Sequence, residues 1–167
     1  MLLETQDELQ GLMNRYKEDL QGLRSKKEEE KRNQTLFEEK FEKLKHEVIW
    51  PVFIEVGNEL NKYGHDYHVS EDREYVDATA SYKPGILVFN IYPATVDRAY
   101  YKPESTPYIA FVANKYAMKV GIEVSTIMPN EGGVVGSHGE YRLEEISKEL
   151  VEKEVVNVLK NTLIFHK

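Results

Sequence analysis

A chain of 167 residues with 41% hydrophobic and 31% charged side chains has the apolar content of a folded protein, not of a disordered one. Its net charge of −7 divides as −2 over residues 1–50, −4 over 51–142 and −1 over 143–167, so no region carries the basic footprint of a nucleic-acid binder. The absence of cysteine excludes disulfides and thiolate metal or redox chemistry.

The opening Met-Leu-Leu-Glu-Thr-Gln-Asp-Glu lacks the basic and apolar regions of a secretory leader. No apolar run approaches the roughly 20 residues needed to span a bilayer, so a cytoplasmic protein with no membrane partner is expected.

Residues 5 to about 49 contain no proline and follow a heptad rhythm. Positions spaced alternately four and three apart are Leu9, Met13, Tyr16, Leu20, Leu23, Lys27, Glu30, Gln34, Phe37, Phe41, Leu44 and Val48. That spacing keeps one stripe of a helix facing a partner helix, and Gly11 and Gly22 fall away from it. A coiled-coil-type arm over residues 1–49 is expected, with Leu9, Met13, Tyr16, Leu20, Leu23, Phe37 and Phe41 as oligomerisation residues. The C-terminal part of the stripe can instead fold back on the chain's own sheet. The first third lies too far along the helix for a small domain to cover, and calls for a second copy or another coiled-coil protein.

The stretch Arg24–Gln34 has no apolar residue and reads as a hinge or local splaying, or else as buried polar positions that fix register. Charges beside the stripe leave orientation open. In a parallel pair Asp19 would meet Arg24 favourably, whereas Lys26 with Lys31 and Lys40 with Lys45 would repel.

Trp50-Pro51 breaks the rhythm, and Pro51 suits the first turn of a second helix ending near Tyr63, with Gly64 as its stop. The rest, residues 50–167, reads as a small α+β domain. Four antiparallel strands are expected over 74–82, 86–92, 107–114 and 117–127, forming a meander with helices packed on one face. Residues 129–142 read as loop, and a closing helix over 143–163 buries Leu143, Ile146, Leu150, Val155, Val158 and Leu159.

Candidate chemistry is sparse. His65 and His68 follow the glycine that ends a helix, so their rings point apart in an extended segment and offer no metal site. No metal and no cofactor are expected. The run Gly132–Gly139 could bring backbone N–H groups to an anion, but it lacks the lysine and hydroxyl of a P-loop. Gly133, Gly136, Ser137 and His138 are the ligand candidates there, a flexible connection being the plainer reading. The locally basic stretch 83–119 interleaves cations with tyrosines. Tyr92, Arg98, Tyr100, Tyr101, Lys102, Tyr108, Lys115 and Tyr116 form a candidate binding surface, equally consistent with ordinary strand composition.

No nucleophile–base pair or metal constellation can be assembled, so no enzymatic activity is expected. The leading expectation is an assembly or adaptor protein that oligomerises through its first helix and presents the sheet domain to a protein. The alternative is a small-ligand or nucleotide-binding module built on the Gly132–Gly139 loop.

Overall fold

The computed structural model describes residues 2–163. The chain is α+β: among the described residues three α-helices, α1 (Leu3–Leu44), α2 (Trp50–Lys62) and α3 (Lys148–Thr162), accompany seven strands. The strands are β1 (Asp66–Asp72), β2 (Tyr75–Val76), β3 (Tyr82–Lys83), β4 (Ile86–Tyr92), β5 (Tyr108–Asn114), β6 (Lys119–Ser125) and β7 (Val135–Tyr141). Contacts divide the chain into two compact units, residues 1–36 and 37–167. The boundary thus falls upstream of the expected 49/50, because Phe37 and Phe41 are buried with the second unit's core.

In the first unit, α1 runs unbroken through Arg24–Gln34, so no break in the helix marks the expected hinge. Thr35 donates its hydroxyl to the Lys31 carbonyl at 3.0 Å, a side-chain bond back to the preceding turn, and the helix continues through it.

In the second unit α1 leads into a π-helical turn, Lys45–Ile49, and on into α2 without a gap. Proline at 51 has no N–H to donate and its ring crowds the preceding turn. The wider turn absorbs this, with the Trp50 N–H reaching back to the Lys45 carbonyl. Glycine at 57 is dictated by packing: a Cβ there would sit inside the Tyr67 ring, which lies across α2 from β1.

The main sheet is antiparallel in the order β1-β4-β5-β6-β7, with β2 and β3 forming a separate two-stranded hairpin. It has five strands where four were expected. Leu87, Phe89 and Ile91 on β4, Ile109, Phe111 and Ala113 on β5, and Val120, Ile122 and Val124 on β6 point to one buried face. Phe53 from α2 meets Phe89 and Phe111 at ring separations of 5.1 and 5.9 Å, and Val151, Val155 and Val158 of α3 join the same core.

Several segments differ from expectation. The alternating run 74–82 is a tight hairpin, not a strand. The Asp77 carboxylate accepts from Thr79 N, Thr79 Oγ1 and Ser81 N, and Ala80 adopts φ +62, which folds the chain back. Met118, within the run 117–127 expected as a strand, sits instead in the β5–β6 turn at φ +53 and is exposed. Residues 135–141 form edge strand β7, not loop. The last helix begins at Lys148, capped by the Ser147 hydroxyl accepting from Leu150 N, after a 3₁₀ turn at Leu143–Glu145.

Candidate functional site

Three groups of residues compete as the functional surface. The first is the stripe on α1. Within the first unit Leu9, Leu12, Met13, Tyr16 and Leu23 are exposed, Met13 and Tyr16 to 57% and 65%, and Leu20 is half-buried. Phe37 and Phe41, at 4% and 1% exposure, are instead core residues of their own chain and are unavailable for oligomerisation. The stripe open to a partner is therefore confined to residues 2–36.

The second group is the tyrosine-rich basic stretch, which the sheet pulls apart into two ends. Tyr92 ends β4 and Tyr108 begins β5, while Lys115 and Tyr116 follow the far end of β5, about 20 Å away along the strand. At the first end the Arg98 guanidinium lies 3.3 Å from the Tyr92 ring centroid and its Nε is 3.4 Å from Asp66 Oδ2. Tyr101 is buried and donates to the Pro93 carbonyl at 2.7 Å. Burial, helped by Glu131, pushes the Tyr101 phenol up to about 12, with Arg98 opposing. Burial also raises the half-buried Tyr108, and Glu123 adds to it. Tyr100 and Lys102 are exposed.

At the other end Lys115 is spent internally. Its Nζ lies 3.4 Å from both Glu38 Oε1 and Glu74 Oε2, and 4.4 Å from the Tyr82 ring centroid. Tyr82 donates to Glu74 at 2.9 Å. Burial raises Glu38 to about 7, and its bond to Glu74 and that group's charge add to the shift. Glu74 is also pushed up by burial but ends below its usual value, because Glu38 and Tyr82 bond to it and Lys115 lies beside it. With Glu38 raised and Glu74 lowered, Glu38 is the carboxyl of the pair that takes up a proton first as the pH falls. The cluster welds the β2–β3 hairpin to the end of α1, so Lys115 and Tyr116 do not join Tyr92 and Arg98 in one surface.

The third group is the glycine run. A cavity of about 550 Å³ lies between the β6–β7 end and α3, lined by Val124, Thr126, Met128 and Val158 together with Gly133, Gly136, Ser137 and His138. All four ligand candidates of the loop therefore share one hollow. Their roles differ. A Cβ on Gly133 would lie 2.6 Å from the Ile127 backbone, so this glycine is required by chain packing. Gly136 faces open space. One extra residue on β7 opposite Gly121–Glu123 forms a bulge, with Gly139 at φ +108, and this brings His138 Nδ1 to 3.6 Å from the nearly buried Glu154. Ser137 Oγ instead accepts from Gly139 N. Neighbouring Ser137 and His138 thus turn to separate partners. Among the described lining residues there is no lysine or arginine, and Glu131 adds a negative charge.

The sequence reading missed one polar cluster entirely. Lys45, in the π-helical turn, is completely buried, with Nζ 2.8 Å from Glu42 Oε1 and 3.1 Å from Glu71 Oε2. His46 Nε2 is 3.2 Å from the same Glu71 oxygen, and its ring stacks on Trp50. Glu42, His46 and Glu71 bring their ligating atoms within 4.8 Å of one another, but the Lys45 ammonium already sits among these carboxylates. Of the two histidines weighed as ligands, His65 accepts from Ala94 N at 2.9 Å and His68 is exposed on β1.

No helix among the described residues is long and apolar enough to cross a membrane. No protein-family model, curated protein or solved structure matches the chain.

Proposed function

We propose that this chain is a non-enzymatic assembly protein that self-associates through the stripe on residues 2–36 of α1 and presents its sheet domain to a protein partner. The observation that carries the reading is the stretch of apolar side chains from Leu9 to Leu23 at heptad spacing, exposed on a helix with no covering element of its own unit. A helix in water rarely keeps such a stripe without a partner, because its stability comes mostly from packing an apolar face. Charge supports a second copy over a strongly charged partner: residues 2–36 hold eight acidic and seven basic side chains, so two copies meet without net repulsion. The partner-facing part of the sheet domain is the Tyr92–Arg98 end, where Tyr100 and Lys102 stand exposed.

Light scattering on the intact chain tests the reading. Leu20→Lys or Leu23→Lys should reduce association at least tenfold while the melting of the sheet domain is unchanged; an unaltered oligomer mass refutes it. Burial of each leucine contributes about 1.5–3 kcal/mol per copy, and 1.4 kcal/mol is a factor of ten.

The cavity favours a second reading, a small-ligand module. Its lining, apolar with hydroxyls, one imidazole and the Glu131 carboxylate and without a lysine or arginine among the described residues, suits a neutral or weakly basic molecule better than a nucleotide. Gly136→Val, which meets nothing within 4 Å of its Cβ position, should narrow the hollow and reduce any ligand-dependent rise in melting temperature. A metabolite panel that produces no shift in the unaltered chain removes this reading.

A further inference from the structure

We infer that the two copies pair antiparallel, overlapping over residues 2–27, with Met13 of one copy against Tyr16 of the other. The inference rests on the self-association proposed above and fixes its geometry. Three observations carry it.

The first is where the stripe stops. Phe37, Phe41 and Lys45 are buried in the second unit, so only residues 2–36 are free to pair. Removing Lys45 also removes the Lys40–Lys45 contact from any account of the pairing.

The second is the centre of the seam. In a parallel, in-register pair each seam residue faces its own copy, which sets Lys27 against Lys27 and Glu30 against Glu30 in consecutive layers. Two like-charge layers inside an interface are strongly disfavoured. In the antiparallel register each residue meets the one whose number completes a sum of 29. Met13 meets Tyr16, Leu9 meets Leu20, Gln6 meets Leu23 and Leu2 meets Lys27. Glu30 and Gln34 then fall outside the overlap.

The third is the charge along the helix. Residues 2–14 carry three acidic and no basic side chains, whereas residues 15–27 carry five basic and two acidic. Parallel pairing stacks like block on like block. Antiparallel pairing lays the acidic block of each copy along the basic block of the other. The flanks agree: Lys17 comes beside Gln10, Leu12 beside Asp19 and Arg24 beside Leu3, and no two like charges are adjacent.

The chain has no cysteine, so single-cysteine variants of the full protein report the geometry without background. Gln6→Cys and Leu23→Cys are prepared separately, mixed and mildly oxidised, with the mass of the unoxidised samples followed by light scattering. Antiparallel pairing predicts a covalent dimer from the mixture in at least fivefold greater yield than from either variant alone, since two copies of position 6 lie about 25 Å apart in that register. Efficient cross-linking of each variant with itself overturns the orientation and leaves self-association standing. Monomeric mass with no cross-link in any sample overturns both. Leu9→Cys mixed with Leu20→Cys repeats the test one layer nearer the centre, so a local failure of the first pair does not decide the outcome.

Discussion

One helix carries the same heptad rhythm through two different surroundings. Over residues 9–23 it leaves Met13 and Tyr16 exposed, whereas over residues 37–41 it buries two phenylalanines in a sheet domain. The spacing of the apolar positions is the same in both parts; their bulk is not. Leucine, methionine and tyrosine fill the first part, and Phe37 and Phe41 anchor the second. Periodicity therefore states which side of a helix is to be covered and is silent on what covers it.

The sharpest way to break this comparison is to remove one side chain from each part. Phe41→Ala should destabilise the sheet domain by about 3–5 kcal/mol in denaturant unfolding, since it deletes a fully buried ring. Met13→Ala should leave that transition in place and weaken only association. Equal loss of domain stability in the two variants would mean that both ends of α1 serve one core. Gly57→Ala comes next, at about 1–3 kcal/mol, because its Cβ would displace the Tyr67 ring. A variant that melts with the parent would show that Tyr67 moves aside freely.

A smaller effect depends on pH. The Glu38 carboxyl titrates near 7 in the fold against an ordinary value of 4.5, so the folded chain holds a proton that the unfolded chain has released. This contribution is fully present below 4.5 and is lost as pH rises through about 7. The lowered Glu74 acts in the opposite sense, on the acid side of its ordinary 4.5. Glu38→Gln should therefore flatten the melting temperature between pH 4.5 and 7. Identical pH profiles for variant and parent would contradict a proton held on Glu38. Smallest of all, Gly11→Ala, with open space around its Cβ, should strengthen the helix by up to about 1 kcal/mol and raise association by no more than tenfold. A weakened dimer would show that a partner backbone approaches there.

How far the fold could be read from sequence follows the depth of each element. Strands β4 and β5 were legible because both their length and their run of apolar residues are those of central strands, and β6 because Val120, Ile122 and Val124 alternate with polar residues and glycine. The edges were not. Strand β1 reads Asp-Tyr-His-Val-Ser-Glu-Asp, half-exposed and charged at both ends, and β7 is rich in glycine and mostly exposed. An edge strand buries too little to leave a pattern, and its bulge and charges guard it against further pairing. The 74–82 run misled in the other direction, because its period of two was real while Asp77 bound the backbone of a turn. Among the candidate sites, the glycine loop is marked in the sequence by its composition alone. The dispersal of the tyrosine-rich surface was invisible, since it depends on β5 carrying Tyr108 and Lys115 to opposite ends of the sheet. Lys45 left no signal at all: a lysine inside a charged helix reads as solvated until the π-helical turn swings it into the core.

That lysine makes the second unit vulnerable in an unusual grammar. Glu42, Lys45 and Glu71 come from the end of α1, the turn beyond it and β1, yet they act as a single letter. Removing one carboxylate leaves the buried Lys45 ammonium with only the other, and replacing Lys45 alone leaves two neighbouring carboxylates without the cation between them, so the lysine is the costliest of the three to change singly. Replacing all three together with apolar groups of matching volume removes the debt along with the bond. Natural variants of this chain are thus expected to tolerate loss of one carboxylate more readily than loss of Lys45, and to replace the lysine only together with its two partners.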